Sequence, residues 1–186
     1  MQETNLDQRF AQGGDPELEE VVDAYGEKLL RYATSILGSY QDAEDMVQQV
    51  FLIAHQKRSS FDGGNLSAWL YKITYRHCLN HLKKRKFLFF ADLGNVGDEA
   101  VDPFADSDLT EGIRDAWGQL SPKERSLLYC RILNEQSYDE LSQVLGRSPA
   151  ALRKQYERAK KKLASHLNTQ GIYGKEPEHG YEQKPI

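Results

Sequence analysis

The sequence predicts an all-α protein made of two small helical domains (N-terminal helical bundle, C-terminal helix-turn-helix) joined by a flexible acidic linker. Apolar residues recur at helical spacing in residues 15–87 and again in residues 113–167, and no strand pattern competes with them. Between these segments, residues 88–112 carry seven acidic residues, no basic residue and no helical period. A chain of 186 residues is long enough for two such domains.

The formal net charge of −4 hides a segregation of charge along the chain. Residues 58–86 carry seven basic residues and one acidic residue, and residues 121–167 carry ten basic and five acidic ones. Two basic blocks on either side of an acidic one predict two anion-binding surfaces, such as a nucleic-acid-binding protein needs. Solvated helix faces explain the same charge runs, so composition alone leaves both interpretations open.

Other features of the composition indicate a soluble cytoplasmic protein. The two cysteines, Cys78 and Cys130, are far apart and form no paired motif, which fits a reducing compartment. The N-terminus is polar and acidic and has no pattern of a signal peptide. The longest apolar run, residues 87–91, is too short to cross a bilayer, so no direct membrane insertion is expected.

The first domain is predicted to contain three helices. Residues 1–14 are polar and end in two glycines, so they are expected to form a flexible tail. Asp15 is predicted as the N-cap and Pro16 as the first residue of a helix that Gly38 ends. Ser39 opens a second helix whose apolar residues share one face: Ala43, Met46, Val47, Val50, Phe51 and Ala54. A third helix follows a glycine-containing loop and ends in four consecutive basic residues.

The second domain has strong helix start signals. Capping boxes begin at Ser121, followed by proline, and at Ser137. Gly146 then marks a tight turn before a longer basic helix that starts at Pro149. A short helix, a glycine-containing turn and a basic helix are typical of a helix-turn-helix. Residues 168–186 are expected to form a second flexible tail.

Several of these segments resemble one bacterial family. The sequence DAEDMVQQVFL at residues 42–52 resembles the core-polymerase-binding segment of extracytoplasmic-function (ECF) sigma factors, and WLYKI at 69–73 resembles the start of their −10-reading helix. LSPKER at 120–125 and the segment 137–160 resemble their −35-reading domain. The resemblance implies a sigma region 2 domain over 15–87 and a region 4 domain over 113–167.

For the first domain, the resemblance implies one protein-binding and one DNA-binding surface. The outward face of the second helix would bind core RNA polymerase through Asp45, Gln48, Gln49 and Leu52, which are spaced so that they share one side. The −10 element would be contacted by residues of the loop and of the third helix: Phe61, Asn65, Arg76, Asn80, Lys83 and Lys84. Arg and Asn can read base edges, whereas Lys mainly contacts phosphate. Many relatives have Asn where this chain has Arg76.

For the second domain, the resemblance implies that the basic helix enters the major groove at the −35 element. The residues away from its apolar stripe, together with Arg147 before it, are the candidate contacts: Arg147, Arg153, Lys154, Glu157, Arg158, Lys161 and Lys162. Arg can form two bonds to guanine and Glu can accept from cytosine, while the later lysines suit phosphates. In this interpretation Gln155 replaces an Arg that is usual in relatives.

The expected partners are core RNA polymerase, promoter DNA and an anti-sigma factor. No catalytic residue and no cofactor are expected. One alternative is a helix-turn-helix activator that does not replace a sigma factor; the bundle over 15–87 argues against it. Another is a metal-dependent enzyme that uses His77 and His81, but these two histidines have no cluster of further ligands in the sequence.

Overall fold

The computed structural model describes residues 6–91 and 111–169, and all regular secondary structure in these two segments is helical. The elements are α1 (Leu6–Gln12), α2 (Asp15–Leu37), α3 (Tyr40–Gln56), a 3₁₀ turn (Arg58–Ser60), α4 (Leu66–Ala91), α5 (Glu111–Gly118), α6 (Pro122–Ile132), α7 (Tyr138–Leu145) and α8 (Pro149–Thr169). The predicted all-α fold with two helical domains is confirmed, with α1–α4 in the first domain and α5–α8 in the second. Most of the predicted linker and of the C-terminal tail lies outside the described residues.

The capping signals of the second domain are present in the structure. The Ser121 hydroxyl accepts a bond from the Glu124 amide, and the Glu124 carboxylate accepts one from the Ser121 amide at 2.7 Å. Ser137 and Glu140 repeat this arrangement at the start of α7, and the Ser137 amide holds the pKa of Glu140 below its usual value. Gly146 ends α7 with a φ of 67°, a left-handed conformation that favours glycine.

The prediction of a flexible tail over residues 1–14 is wrong for residues 6–12, which form α1. This short helix is held by Phe10, which is fully buried although residues 7–9 before it are polar. The N-cap of α2 also differs from the prediction. Gly14 rather than Asp15 occupies that position, and its amide donates to the Glu17 carboxylate at 2.6 Å.

Two helices extend beyond their predicted ends, and a third helix, α5, was not predicted. Helix α4 continues through residues 87–91, because its basic run consists of good helix formers and no glycine or proline follows until Gly94. Helix α5 begins at Glu111, inside the predicted linker, and α8 continues two residues past 167. An acidic residue such as Glu111 is favourable in a first helical turn, because it faces the positive end of the helix dipole.

The two domains pack against each other along α2 and α4. Helix α6 lies on the C-terminal half of α2, and α7 lies on α4. The Trp117 indole donates to the Ser35 carbonyl at 3.2 Å, and the Arg125 guanidinium approaches the Ile36 carbonyl at 3.4 Å. Because these contacts join residues of both domains, the described helices share one continuous hydrophobic core.

Tyr32 lies at the centre of this shared core. Its ring centroid is 4.8 Å from that of Tyr71 in the first domain and 5.5 Å from that of Tyr129 in the second. Its hydroxyl forms a buried 2.6 Å hydrogen bond with the Ser126 hydroxyl. Burial raises the pKa of the Tyr32 hydroxyl well above its usual value and that of the adjacent Cys130 thiol to about 12, so both groups stay protonated at neutral pH.

This contact gives a double-mutant prediction. Tyr32→Phe and Ser126→Ala each leave a buried hydroxyl without its partner, and each should lower the free energy of unfolding by about 1–3 kcal/mol. The double variant removes both hydroxyls, so its loss should be clearly smaller than the sum of the two single losses. Denaturant unfolding of the four proteins measures this coupling. Additivity within about 0.5 kcal/mol would show that the two domains do not share this bond in solution.

Candidate nucleic-acid and protein-binding surfaces

The outer face of α3 has the exposure that a protein-binding surface requires. Asp45, Gln48, Gln49 and Leu52 are all exposed, and Leu52 is 62% exposed although it is a large apolar residue. The opposite side of α3 is buried and comprises the six predicted apolar residues: Ala43, Met46, Val47, Val50, Phe51 and Ala54. The helix therefore presents a polar face with a leucine in it, a composition found at polar interfaces with an apolar centre.

The loop between the 3₁₀ turn and α4 is more enclosed than its sequence indicates. Phe61 is only 6% exposed, and its ring packs 5.2 Å from that of Trp69 and 6.0 Å from that of Phe10. Asn65 is exposed, but its side-chain oxygen accepts a 2.8 Å bond from the Ala68 amide and so caps α4. In this conformation Phe61 supports the loop from inside, and the Asn65 amide nitrogen is the group that remains for a ligand.

The basic side of α4 is accessible. Arg76, Asn80, Lys83 and Lys84 are exposed, and the three cations form no ion pair with any residue in the described segments. The neighbouring Arg85 differs, because its guanidinium lies 3.4 Å from the Asp42 carboxylate on α3. This side of α4 therefore keeps its charges available for an anionic partner.

A cavity of about 240 Å³ lies beside this basic side, between α3, the 3₁₀ turn and α4. Its walls combine three basic side chains and a histidine with aliphatic and aromatic surface: Ile53, Lys57, Ser60, Trp69, Lys72, Ile73, Arg76 and His77. Of these residues, only Arg76 was a predicted DNA contact. Lys72 and Arg76 are four residues apart on one helix, and this spacing could have indicated Lys72 as a further candidate. Lys57 lines the cavity only because α3 packs on α4, which the sequence did not show.

The chemistry of the cavity favours a ligand rich in hydrogen-bond acceptors. No carboxylate from residues 6–91 or 111–169 lines it, and Lys57, Lys72 and Arg76 can only donate. Burial, followed by the charges of Lys57 and Lys84, lowers the pKa of His77, so its imidazole is neutral at pH 7. The indole of Trp69 adds an aromatic surface on which a planar group can stack. Phosphate oxygens and nucleobase carbonyls have the matching acceptors.

Helix α8 has a buried stripe and an exposed side that carries its candidate contacts. Leu152 and Ala159 are buried and Tyr156 and Leu163 are half-buried, which gives the expected inward stripe. The candidate −35 contacts are all exposed: Arg147, Arg153, Lys154, Glu157, Arg158, Lys161 and Lys162. The basic surface of the second domain is therefore accessible along most of α8.

Three of these exposed cations have partners that the sequence did not indicate. The Arg147 guanidinium donates to the Gln155 side chain at 3.1 Å, which orients it at the start of α8. The Arg153 guanidinium lies 5.2 Å from the centre of the Tyr138 ring, within range of a cation–π contact. The Lys162 ammonium lies 3.4 Å from the Glu124 carboxylate. Lys161, by contrast, has no ion pair with a described residue.

The two histidines considered for a metal site have separate surroundings. His77 lines the cavity, whereas His81 lies 3.6 Å from the Asp42 carboxylate. Within residues 6–91 and 111–169 there is no group of three or more His, Cys, Asp or Glu residues suited to hold a metal ion. In the same segments, no helix has both the length and the hydrophobicity needed to span a membrane.

Comparison with protein families gives a match for each domain. The family model of Sigma-70 region 2 matches residues 21–87, and that of Sigma-70 region 4 matches residues 110–163. The first match covers most of α2, all of α3 and most of α4, and the second covers α5–α7 and most of α8. A helix-turn-helix activator accounts for only the second of these matches, so the region 2 match disfavours that alternative.

Individual proteins give the same result. The chain is 23% identical to ECF RNA polymerase sigma factor SigW of Bacillus subtilis, over 80% of this chain and 87% of that protein. It is 25% identical to ECF sigma factor SigE of Mycolicibacterium smegmatis, over 84% of this chain but only 63% of that protein. Among solved structures, the chain superposes on the sigma factor RpoE of Bartonella quintana, which was solved in complex with the anti-sigma factor NepR. The TM-score is 0.70 and the identity 24%, over 81% of this chain and 96% of RpoE. The structure of CnrH in complex with the cytosolic domain of CnrY superposes with a TM-score of 0.66 and 22% identity, over 88% of this chain and 96% of CnrH.

Both domains therefore match the same family, in the same order along the chain, and together the two matches cover well over half of it. The cationic surfaces of α4 and α8 lie within the matched segments. The protein belongs to the ECF RNA polymerase sigma factors, which direct RNA polymerase to promoters.

Proposed function

We propose that three separate surfaces of this sigma factor carry out its role at a promoter. The outer face of α3 binds core polymerase, the cavity and basic side of α4 hold the melted −10 strand, and the N-terminal half of α8 reads the −35 element. The observation that carries this proposal is the presence of one exposed cationic surface on each domain, in which Lys162 is the one candidate DNA contact that forms an ion pair with a described residue. The chain contributes binding, and the polymerase carries out the chemistry.

The −10 part of the proposal depends on the cavity. A single strand is held by cations along its backbone and by aromatic surfaces on which bases stack. Lys83 and Lys84 supply cations along α4, while Trp69 and Arg76 supply a stacking surface and a forked donor inside the cavity. Because the cavity has donors and no carboxylate, it favours a base with exposed acceptors, such as guanine or thymine, over one that must donate.

The −35 part depends on the geometry of α8. Arg153 and Lys154 lie in its first two turns, where a recognition helix meets base edges. Lys161 lies two turns further along, where a helix in the major groove has left the bases and passes the phosphates. Tyr138, on the preceding helix of the helix-turn-helix, limits the directions that the Arg153 side chain takes. The start of α8 is therefore suited to sequence reading and its middle to charge neutralisation.

The packing of the two domains must change when both promoter elements are bound. Helix α7, which precedes α8 in the helix-turn-helix, packs directly on α4, the helix that carries Arg76. The −10 and −35 elements are separated by about 25 base pairs, or about 85 Å at 3.4 Å per pair. Two adjacent surfaces cannot reach both elements, so the contacts around Tyr32 have to open in the promoter complex.

An anti-sigma factor is the proposed regulatory partner. CnrH was solved with the cytosolic domain of CnrY, and the Bartonella quintana factor with the anti-sigma factor NepR. A partner that prefers the packed arrangement of the two domains would oppose the opening that promoter binding requires. Purification of the tagged chain from its native cells should recover such a protein in addition to polymerase. Recovery of polymerase alone in repeated purifications would favour control by the amount of the sigma factor.

Transcription with purified components tests the proposed function. Core polymerase that lacks any sigma factor is mixed with the purified chain and a library of random DNA sequences. We expect transcripts that start at a fixed distance from two sequence elements, and none when the chain is omitted. Transcription that still requires another sigma factor would contradict the proposal and support an activator.

The α3 surface gives a prediction for polymerase binding. Asp45→Ala combined with Gln48→Ala should weaken binding to core polymerase, because both side chains lie on the exposed face around Leu52. The fold should be retained, since neither residue is buried. Binding is measured by titration against labelled core, and folding by circular dichroism. Asp23→Ala, at an exposed position of α2, serves as the matched control. Unchanged core binding by the folded double variant would remove this interface.

The partners seen along α8 give a prediction for the −35 element. Arg153→Ala should relax the preference at one −35 position, with a cost of about 1–3 kcal/mol for the preferred sequence. Lys161→Ala should weaken all sequences alike and lower the salt dependence by about one charge. Lys162→Ala should have a smaller effect of the same kind, because Glu124 already neutralises part of that charge. The measurement is holoenzyme binding to a promoter library at several salt concentrations. A changed preference in Lys161→Ala with an unchanged one in Arg153→Ala would reverse our orientation of α8.

A further inference from the structure

Helix α1 contacts the loop that precedes α4, although the two are more than fifty residues apart in sequence. Phe10 is fully buried, and its ring centroid lies 6.0 Å from that of Phe61 in the loop and 6.2 Å from that of Trp69 on α4. The rings of Phe61 and Trp69 are themselves 5.2 Å apart. These three rings form one cluster, called here the aromatic cluster, to which α1, the loop and α4 each contribute one residue.

Polar contacts fix the same junction. The Asp7 carboxylate accepts a 3.2 Å bond from the amide of Leu66, the first residue of α4. Amides at a helix start have no partner within the helix, and a carboxylate there also meets the positive end of the helix dipole. The start of α4 is therefore capped by two side chains, Asn65 from the loop and Asp7 from α1.

Two further contacts attach α1 and its C-terminal turn to the rest of the domain. The Arg58 guanidinium, in the 3₁₀ turn, donates to the Gly14 carbonyl at 2.8 Å. The Arg9 guanidinium forms an ion pair with Glu20 on α2, and its hydrogen bond lowers the pKa of that carboxyl. Helix α1 is thus tied to α2, to the 3₁₀ turn and to the first residue of α4.

The aromatic cluster lies directly behind the proposed base cavity. Trp69 belongs to both, and Ser60, which lines the cavity, precedes Phe61 in the chain. Helix α1 itself contributes no side chain to the cavity or to the α3 surface. A change in α1 can therefore alter the position of Trp69 and Ser60 without removing a group that would contact DNA or polymerase.

We propose that Asp7 and Phe10 are positioning residues for −10 recognition: α1 holds the loop and Trp69 in the arrangement that accepts a base of the melted strand. This inference deepens the proposed function and rests on it, because it presumes that the cavity binds the −10 strand. Loss of either residue leaves all proposed DNA contacts in place but allows the cavity wall to move. The result is weaker promoter opening and a flatter base preference in the −10 element, with −35 reading unaffected.

The test uses full-length variants assembled into holoenzyme with purified core polymerase. Asp7→Ala removes the carboxylate that accepts from the Leu66 amide, and Phe10→Leu keeps an apolar side chain and removes the ring. Gln8→Ala, at an exposed position of α1, is the matched control. The promoter is one that the wild-type holoenzyme selects from a random library. Opening is followed by the permanganate reactivity of unpaired −10 thymines, and base preference by transcription from a library randomised at the −10 and −35 elements.

We expect Asp7→Ala to reduce promoter opening about fivefold, the size associated with the loss of one helix-capping bond, and Phe10→Leu to change it in the same direction. The −10 preference should flatten, while core binding, the −35 preference and the Gln8→Ala control stay at wild-type levels. A parallel fall in core binding or in −35 preference would mean a general structural role and would overturn the inference. Asp7→Ala provides the test if Phe10→Leu fails to fold.

An Arg76→Ala variant separates this inference from the proposed function. If Arg76→Ala changes the −10 preference and both α1 variants leave it intact, the cavity proposal stands and the role of α1 is overturned. If Arg76→Ala and the α1 variants all leave the −10 preference intact, the cavity does not read the −10 element, and both proposals fail. A change in all three variants supports both.

Discussion

The burial of Tyr32 is the interaction on which the arrangement of the two domains depends. Its ring lies between Tyr71 of the first domain and Tyr129 of the second, and its hydroxyl has its hydrogen-bond partner, Ser126, in the second domain. A buried hydroxyl without a partner is costly, so the first domain alone would have to expose Tyr32 to water. This requirement explains why residues 32–37 of α2 are all buried. In an isolated bundle, an amphipathic helix would have buried residues on one face and exposed residues on the other.

The same contact sets the energetic conditions for the proposed function. Promoter binding at two elements about 85 Å apart requires the domains to separate, and separation exposes the tyrosines and the paired hydroxyls. The apparent affinity for polymerase and promoter is then reduced by the fraction of molecules that are open. A variant that weakens only the Tyr32–Ser126 bond, as in the double-mutant cycle, should therefore lose stability, while the fraction of open molecules and the apparent affinity for the promoter increase. The packing that stabilises the chain opposes its activity.

The features that the sequence predicted correctly are those determined by near neighbours. Capping boxes at Ser121 and Ser137, the glycine stop at Gly146 and the buried face of α3 all depend on residues within four positions of each other. Helix α1 was missed because its seven residues contain one strongly buried side chain, Phe10, and too few apolar positions to show a period. Its stability comes from aromatic partners in a distant loop, which local patterns do not reveal.

The candidate surfaces, too, could be predicted from the sequence only in part. Helical spacing was sufficient to place Arg76, Lys161 and the α3 residues on exposed faces, because the direction of a side chain on a helix follows from its position. Spacing could not show what each side chain contacts, since those partners are remote in sequence. Lys162 and Glu124 are 38 residues apart, Asp7 and Leu66 are 59, and Tyr32 and Ser126 are 94. The difference between Lys161 and Lys162, one unpaired among the described residues and one paired, is therefore a property of tertiary packing, and in the proposed −35 contact it predicts that Lys161 carries more of the phosphate binding.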